Sequence, residues 1–263
     1  MTPELPLDLL ARGHVRAETE GPVLHVTLDR PDARNAQTPA TWAALSAIGE
    51  VCAAGGVDVV VFRGAGTAFS AGLDRRMFTP EGIPGETSLA EMVTMSDAEM
   101  ADRIAEFQRA FLWQRELPVL TIAAVQGPAV GAGFQLALAC DILLATPAAT
   151  FAMRESSYGL VPDLGGTQPL VRAVGYSRAV DICATGRTVT ADEGLSLGFV
   201  TRVVADLETG VDEVVVAVGS APRGAIADLL PLLRGAEAAS RDGQAAAERH
   251  AQVGRLRALL GGG

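Results

Sequence analysis

An α/β fold follows from three features of this sequence. Two uninterrupted apolar runs, "VDVVVFRG" (57–64) and "PVLTIAAV" (118–125), have the pattern of strands buried on both faces of a sheet. Helix-length segments alternate with them, as in layered α/β architectures. Hydrophobic residues make up 49% of the chain but aromatics only 5%, so the core is built mostly of Val, Leu, Ile and Ala. At 263 residues the chain suits one large domain, or a core with a small appendage.

In chain order, "HVRAET" (14–19) and "VLHVTLD" (23–29) read as two short strands joined by the Glu20-Gly21-Pro22 turn. A polar loop, "RPDARNAQTPA", follows. Thr38 is the expected N-cap of a helix over 39–54, with Pro39 in its first position and Gly55-Gly56 ending it. After the buried strand 57–64, the stretch 79–96 is rich in Gly, Pro, Thr and Ser and reads as a mobile insertion. Residues 97–116 predict an amphipathic helix, 118–125 a second buried strand, and "DILLAT" (141–146) a third. From about 166 the pattern turns helical, with a short strand-like return in "SLGFVTRVV" (196–204). Residues 221–260 read as an Ala- and Arg-rich helical tail. The expected organisation is an α/β core over 1–200 and a helical region over 201–263.

A formal charge of −10 argues against a nucleic-acid or anionic-membrane surface. The three cysteines, Cys52, Cys140 and Cys183, show no metal spacing and read as buried thiols in a reducing compartment. The N-terminal stretch lacks the basic and apolar regions of a signal peptide. The apolar run around 119–140 is split by Gln126, Gly127 and Pro128, so neither half reaches the ~20 residues of a membrane span. The expectation is a soluble, cytoplasmic chain.

Three segments could carry chemistry. In "GPAVGAGFQLALACDI" the residues Gly131, Ala132 and Gly133 open a helix, whose first-turn N–H groups have no intrahelical acceptor and sit at the positive end of the dipole. They would polarise a carbonyl oxygen and stabilise an enolate more strongly; alternatively, the glycines merely permit close helix–strand packing. The second segment, "GAGTAFSAGLDRRM" (64–77), is a glycine loop at a strand end, where α/β sheets place ligands. Its Ser70 does not lie in a G-x-S-x-G elbow, and His14, His25 and His250 are poorly placed to serve it as a base. In the third, "ATFAMRESSYGLVPDLGGTQ" (149–168), Glu155 and Asp163 are two carboxylates that could move protons at carbon if they converge on an apolar pocket. They could equally be a salt-bridge partner of Arg154 or Arg172 and a helix cap.

The ordered set "LDRPDARNA", "FSAGLD", "VQGPAVGAGFQLALACDI", "GLVPDLGGTQPLVRAVG" and "TGRTVTADEGLSLGFVTRVV" resembles the enoyl-CoA hydratase/isomerase (crotonase) family across residues 13–205. The resemblance implies a spiral of repeated ββα turns with a C-terminal helical region that assembles trimers or dimers of trimers. It implies an acyl-CoA thioester as substrate, coenzyme A entering as part of it, with no separate cofactor or metal. The thioester enolate would be held by the backbone N–H groups of Leu73, between Gly72 and Asp74, and of Ala132, between Gly131 and Gly133. The CoA arm would run past Arg34 and Ala36 and along Ala71, Gly72, Leu73, Asp74, Arg75 and Arg76. Glu155 would be the principal acid/base and Asp163 a second acid or positioning group.

Two departures from the family pattern shape the functional expectation. Hydratases of the family carry acids at the places of both Gln135 and Glu155. An amide at 135 can orient water or substrate but cannot take a proton at neutral pH. A double-bond shift needs no water and one carboxylate suffices, so an enoyl- or dienoyl-CoA isomerase is expected ahead of a hydratase that uses Gln135 as a water holder, or of a non-catalytic acyl-CoA binder. The chain also ends without the family's usual C-terminal "S-x-D-x-x-E-G-x-x-A-F" segment.

Overall fold

The computed structural model describes residues 4–222 and 224–260. It begins with a short helix, α1 (Leu7–Arg12), and a hairpin of β1 (Val15–Glu20) and β2 (Val23–Leu28), which pair antiparallel with Gly21 at a φ of 58° in the turn. Helix α2 (Pro39–Ala53) starts where expected. Thr38 Oγ1 accepts the Thr41 N–H, and Thr41 Oγ1 in turn accepts the Thr38 N–H, a reciprocal cap. Strand β3 (Val59–Gly64) follows.

The stretch 79–96 is mostly turns and bends. It contains the short helix α3 (Leu89–Met92), capped by Ser88, and ends at Ser96, which caps α4 (Asp97–Glu116) with Glu99 closing a capping box. Next come β4 (Leu120–Val125), β5 (Pro128–Val130), α5 (Ala132–Ala139), β6 (Ile142–Ala145) and β7 (Thr150–Ala152). The chain finishes with α6 (Thr167–Val174), α7 (Tyr176–Thr185), β8 (Val189–Thr190), α8 (Ala191–Leu197), β9 (Arg202–Val203), α9 (Leu207–Gly219), α10 (Ala225–Gly235) and α11 (Arg241–Leu260). The strand-like return over 196–204 is therefore mostly the end of α8 and a turn, with only Arg202 and Val203 in a strand.

The main sheet runs β1-β2-β3-β4-β6-β9, parallel throughout except for the opening hairpin. A small second sheet, β5-β7-β8, stands beside it. Alternation along the strands explains why 57–64 and 118–125 are apolar without a break. Val60, Phe62 and Ala123 face a core with Leu45, Ile48, Phe111 and Trp113 of α2 and α4. Val59, Val61, Ile122 and Leu144 face the other way, against Val211 and Val214 of α9 and Leu230 of α10. Strand β9 and helices α9 and α10 thus complete the same sheet that the first 145 residues begin.

One largely buried ion pair, its side chains 13% and 12% exposed, ties α10 to that sheet. Arg234 donates to both Asp141 carboxylate oxygens and to the carbonyls of Leu117 and Val119, while Asp141 also accepts from the N–H and hydroxyl of Thr121. Cys52 and Cys140 are buried as expected, but Cys183 is half-exposed on α7, which has only two fully buried positions, Ala179 and Ile182. No helix among the described residues is long and apolar enough to cross a membrane.

Candidate active site

Three turns of chain meet at the carboxyl ends of β3 and β4, where parallel sheets leave room for ligands. The first is the loop after β3. Ser70 N–H donates to Pro128 O, and Val130 N–H donates back to Ser70 O, so this loop lies along β5. Gly72 then turns the chain with a φ of 85°, a conformation that disfavours any residue with a Cβ. A Cβ there would lie 2.5 Å from Val130 O and 3.5 Å from the nitrogen of Ala132. Glycine at 72 is what lets the Leu73 and Ala132 amides come close. Gly72→Ala should cost about 1–3 kcal/mol in chemical denaturation through backbone strain alone.

The second turn is the start of α5. Gly131, at a φ of 53°, donates its N–H to Ala152 O and leaves Ala132 as the first helical residue. Among the described residues neither Leu73 N–H nor Ala132 N–H has an acceptor. Gly133 packs on Ser70, where a Cβ would meet Ser70 O at 2.5 Å. The glycines of this motif thus serve both readings left open by the sequence: they permit close packing, and that packing assembles two free donors.

The third turn holds the acids. Glu155 begins a 3₁₀ turn, Glu155–Tyr158, and its Oε1 lies 3.3 Å from where a Cβ on Gly131 would be. It forms no salt bridge among the described residues; Arg172 pairs with Glu237 instead. Glu155 Oε1 accepts one hydrogen bond, from Gln135 Nε2 at 2.7 Å, and Oε2 is buried with no partner. Burial pushes the Glu155 carboxyl up from its ordinary range; the Gln135 hydrogen bond pulls the other way, and the charge of Asp163 adds to the rise. Asp163 is also raised by burial. It does not cap α6, whose N-cap is Gly166 with no side-chain hydrogen bond; its carbonyl instead accepts from Gln108 Nε2 of α4 at 2.6 Å.

The place of Gln135 is now physically intelligible. It is 1% exposed, and its Oε1 accepts the N–H groups of Leu164, at 3.0 Å, and Gly166, at 3.2 Å. Those two donors fix the amide orientation, so Nε2 has to point at Glu155. An acid in this position would satisfy the same N–H groups but set two carboxylates against each other. The amide gives Glu155 a neutral donor on one oxygen and leaves the other oxygen free. Gly166 is required for this approach, since a Cβ there would lie 2.6 Å from Gln135 Cγ.

The residues expected along a CoA arm are more scattered in character. Ala71 N–H donates to Arg34 O, which brings the exposed Arg34 and half-buried Ala36 beside the loop. Asp74 is buried, caps the turn Arg75–Phe78, and takes hydrogen bonds from Arg30 and Arg76. These bonds, Arg76 foremost, hold its carboxyl well below the usual range. Arg76 is therefore engaged by Asp74, whereas Arg34 and Arg75 have no ionic partner among the described residues. Sequence reasoning missed Gln37, Arg30 and Gln108. None of the three left a local signal; only the Asp74–Arg76 pair did, as an acid two residues before an arginine at a turn.

The family profile for enoyl-CoA hydratase/isomerase matches residues 18–227. The chain belongs to the enoyl-CoA hydratase/isomerase family. It is 40% identical to a Thermobifida fusca YX protein assigned to the enoyl-CoA hydratases and solved in complex with acetoacetyl-CoA, with a TM-score of 0.90 over 97% of this chain and 99% of that one. It is 33% identical to YngF of Bacillus subtilis (strain 168), named for the enoyl-CoA hydratase/isomerase family, over 74% of this chain and 71% of that protein. It is also 33% identical to the mitochondrial Delta(3,5)-Delta(2,4)-dienoyl-CoA isomerase of Mus musculus, over 70% of this chain but only 56% of that protein. The crotonase fold and family expected from the five motifs are those of this enoyl-CoA hydratase/isomerase chain.

Proposed function

We propose that this family member shifts a carbon–carbon double bond in an enoyl- or dienoyl-CoA thioester. The observation that carries the reading is Glu155: one oxygen tied to the Gln135 amide, the other buried and unpartnered beside Gly131. Glu155 Oε2 would take a proton from the carbon next to the thioester, or from its vinylogue, and return it further along the chain. The Leu73 and Ala132 N–H groups would hold the enolate oxygen meanwhile. Asp163 acts as a second acid or positions the diene. Arg34, Arg75 and Arg76 are the cations available to the CoA phosphates, Arg76 after exchange from Asp74.

Incubation in D₂O with 2-enoyl-, 3-enoyl- and 3,5-dienoyl-CoA thioesters tests the reading. Label and a moved double bond, without gain of water, support an isomerase; gain of water would establish the hydratase reading, which the Thermobifida protein's assignment favours. No label on a thioester that binds would leave an acyl-CoA binder.

A proton-abstracting Glu155 has to be ionised, so kcat/KM should rise with pH through its pKa. That pKa is raised, so the acid limb should lie above the ~4.3 of an ordinary glutamate. Asp163→Asn removes one raising charge and should move the limb to lower pH. A pH–rate profile of both proteins checks this.

For the assembly we propose the family's trimer, built through residues 201–263. Leu229 and Leu233 of α10 and Val253, Leu256 and Leu259 of α11 are exposed, and this apolar face supports the reading.

A further inference from the structure

The unused serine of the glycine loop has a place in the same site. Ser70 is completely buried, and its hydroxyl is saturated. It donates to Asn35 O at 2.8 Å and accepts from Gln37 Nε2 at 3.1 Å and from Gly72 N–H at 3.2 Å. Gln37, also fully buried, is itself held by Trp42 Nε1, which donates to Gln37 Oε1 at 2.9 Å. The backbone of Gln37 grips the other side of the turn: its N–H donates to Gly72 O at 2.7 Å, and its carbonyl accepts Asp74 N–H at 2.8 Å.

Leu73 is therefore flanked by two fixed peptides. Both polar groups of Gly72 and the N–H of Asp74 are committed to Ser70 and Gln37, and Leu73 N–H alone is left without an acceptor. A hydrogen-bond donor works in a reaction only if its direction is set before charge develops. We propose that Ser70, with Gln37 behind it, is the positioning residue that aims the Leu73 N–H at the thioester oxygen. This rests on the oxyanion reading above. Ser70 touches no reacting atom; it acts through Gly72.

The test uses an acyl-CoA carrying ¹³C at the thioester carbonyl, with NMR of the bound ligand and steady-state kinetics. The wild-type protein should shift the carbonyl resonance downfield on binding. If the label binds without a shift, the oxyanion reading itself fails. Given that shift, Ser70→Ala should reduce it and lower kcat about 10- to 10²-fold, with KM within about threefold, because the donor is misaimed and not removed. An unchanged shift and kcat in a folded Ser70→Ala protein would overturn the proposal. Should Ser70→Ala not fold, Gln37→Met removes only the amide donor to Ser70 and the acceptor for Trp42. A smaller reduction of the same shift supports the proposal, and no reduction overturns it.

Discussion

Glu155→Gln should lower turnover by about 10³- to 10⁴-fold while thioester affinity stays within a few-fold. The substitution keeps the volume, and its oxygen can still accept from Gln135 Nε2, so the pocket should survive. What disappears is the one side-chain oxygen of the site that, among the described residues, is buried without a partner. The same change should stabilise the fold. A carboxyl whose pKa is raised in the folded protein favours the protonated form, so its contribution is fully present below the unfolded pKa and is lost as pH rises through the folded one. At neutral pH wild-type Glu155 is a burden that Gln lacks. Thermal melts should show a higher Tm for Glu155→Gln near pH 7, with the difference vanishing below about pH 4. Retained turnover would remove Glu155 from the chemistry. A lower Tm at neutral pH would mean that the carboxylate has stabilising contacts outweighing its burial.

Arg234→Ala should be the most destabilising single change outside the hydrophobic core, at about 3–5 kcal/mol. Arg234 and Asp141 side chains are only 13% and 12% exposed, and the guanidinium fork also satisfies the Leu117 and Val119 carbonyls. Truncation strands the carboxylate and both carbonyls at once. For a chain of this size that corresponds to a Tm loss of roughly 6–20 °C. Arg234→Lys should fall between, since one ammonium cannot reproduce a planar fork. Differential scanning calorimetry gives the ranking. Hydrogen exchange should place the loosening in α10 and at the start of β4, leaving the β1–β2 hairpin protected.

What the sequence made legible was local or periodic. The Thr38-Pro39 start of α2 and the span of α4 need only neighbouring residues, and β3 and β4 announce themselves as unbroken apolar runs. The second sheet was invisible because β5, β7 and β8 have three, three and two residues, too short for any period to register. Helix α3 was hidden in a Gly- and Pro-rich stretch because a single turn capped by Ser88 contributes almost no pattern. At the site, the N–H groups around Ala132 and the carboxylates Glu155 and Asp163 were candidates on residue chemistry, Leu73 and the individual roles came from the family's motifs, and the structure brings these segments together. The pairings did not come with them. Gln135 meets Glu155 20 residues away and Gly166 31 away, and Ser70 reaches Asn35 across 35. Such contacts depend on how the turns stack, which no local signal carries.

The two-sided burial of the main sheet has a consequence for the chain as it is being made. One face is covered by α2 and α4, which precede or adjoin the strands they shield. The other, with Val59, Val61, Ile122 and Leu144, waits for Val211, Val214 and Leu230. About 80 residues separate the end of β4 from the start of α9, which takes roughly 4–16 s to synthesise at about 5–20 residues per second. Through that interval a nascent chain carries a bare apolar sheet face. Its safety during translation therefore rests on how promptly α9 and α10 arrive, and on whatever shelters that face until they do.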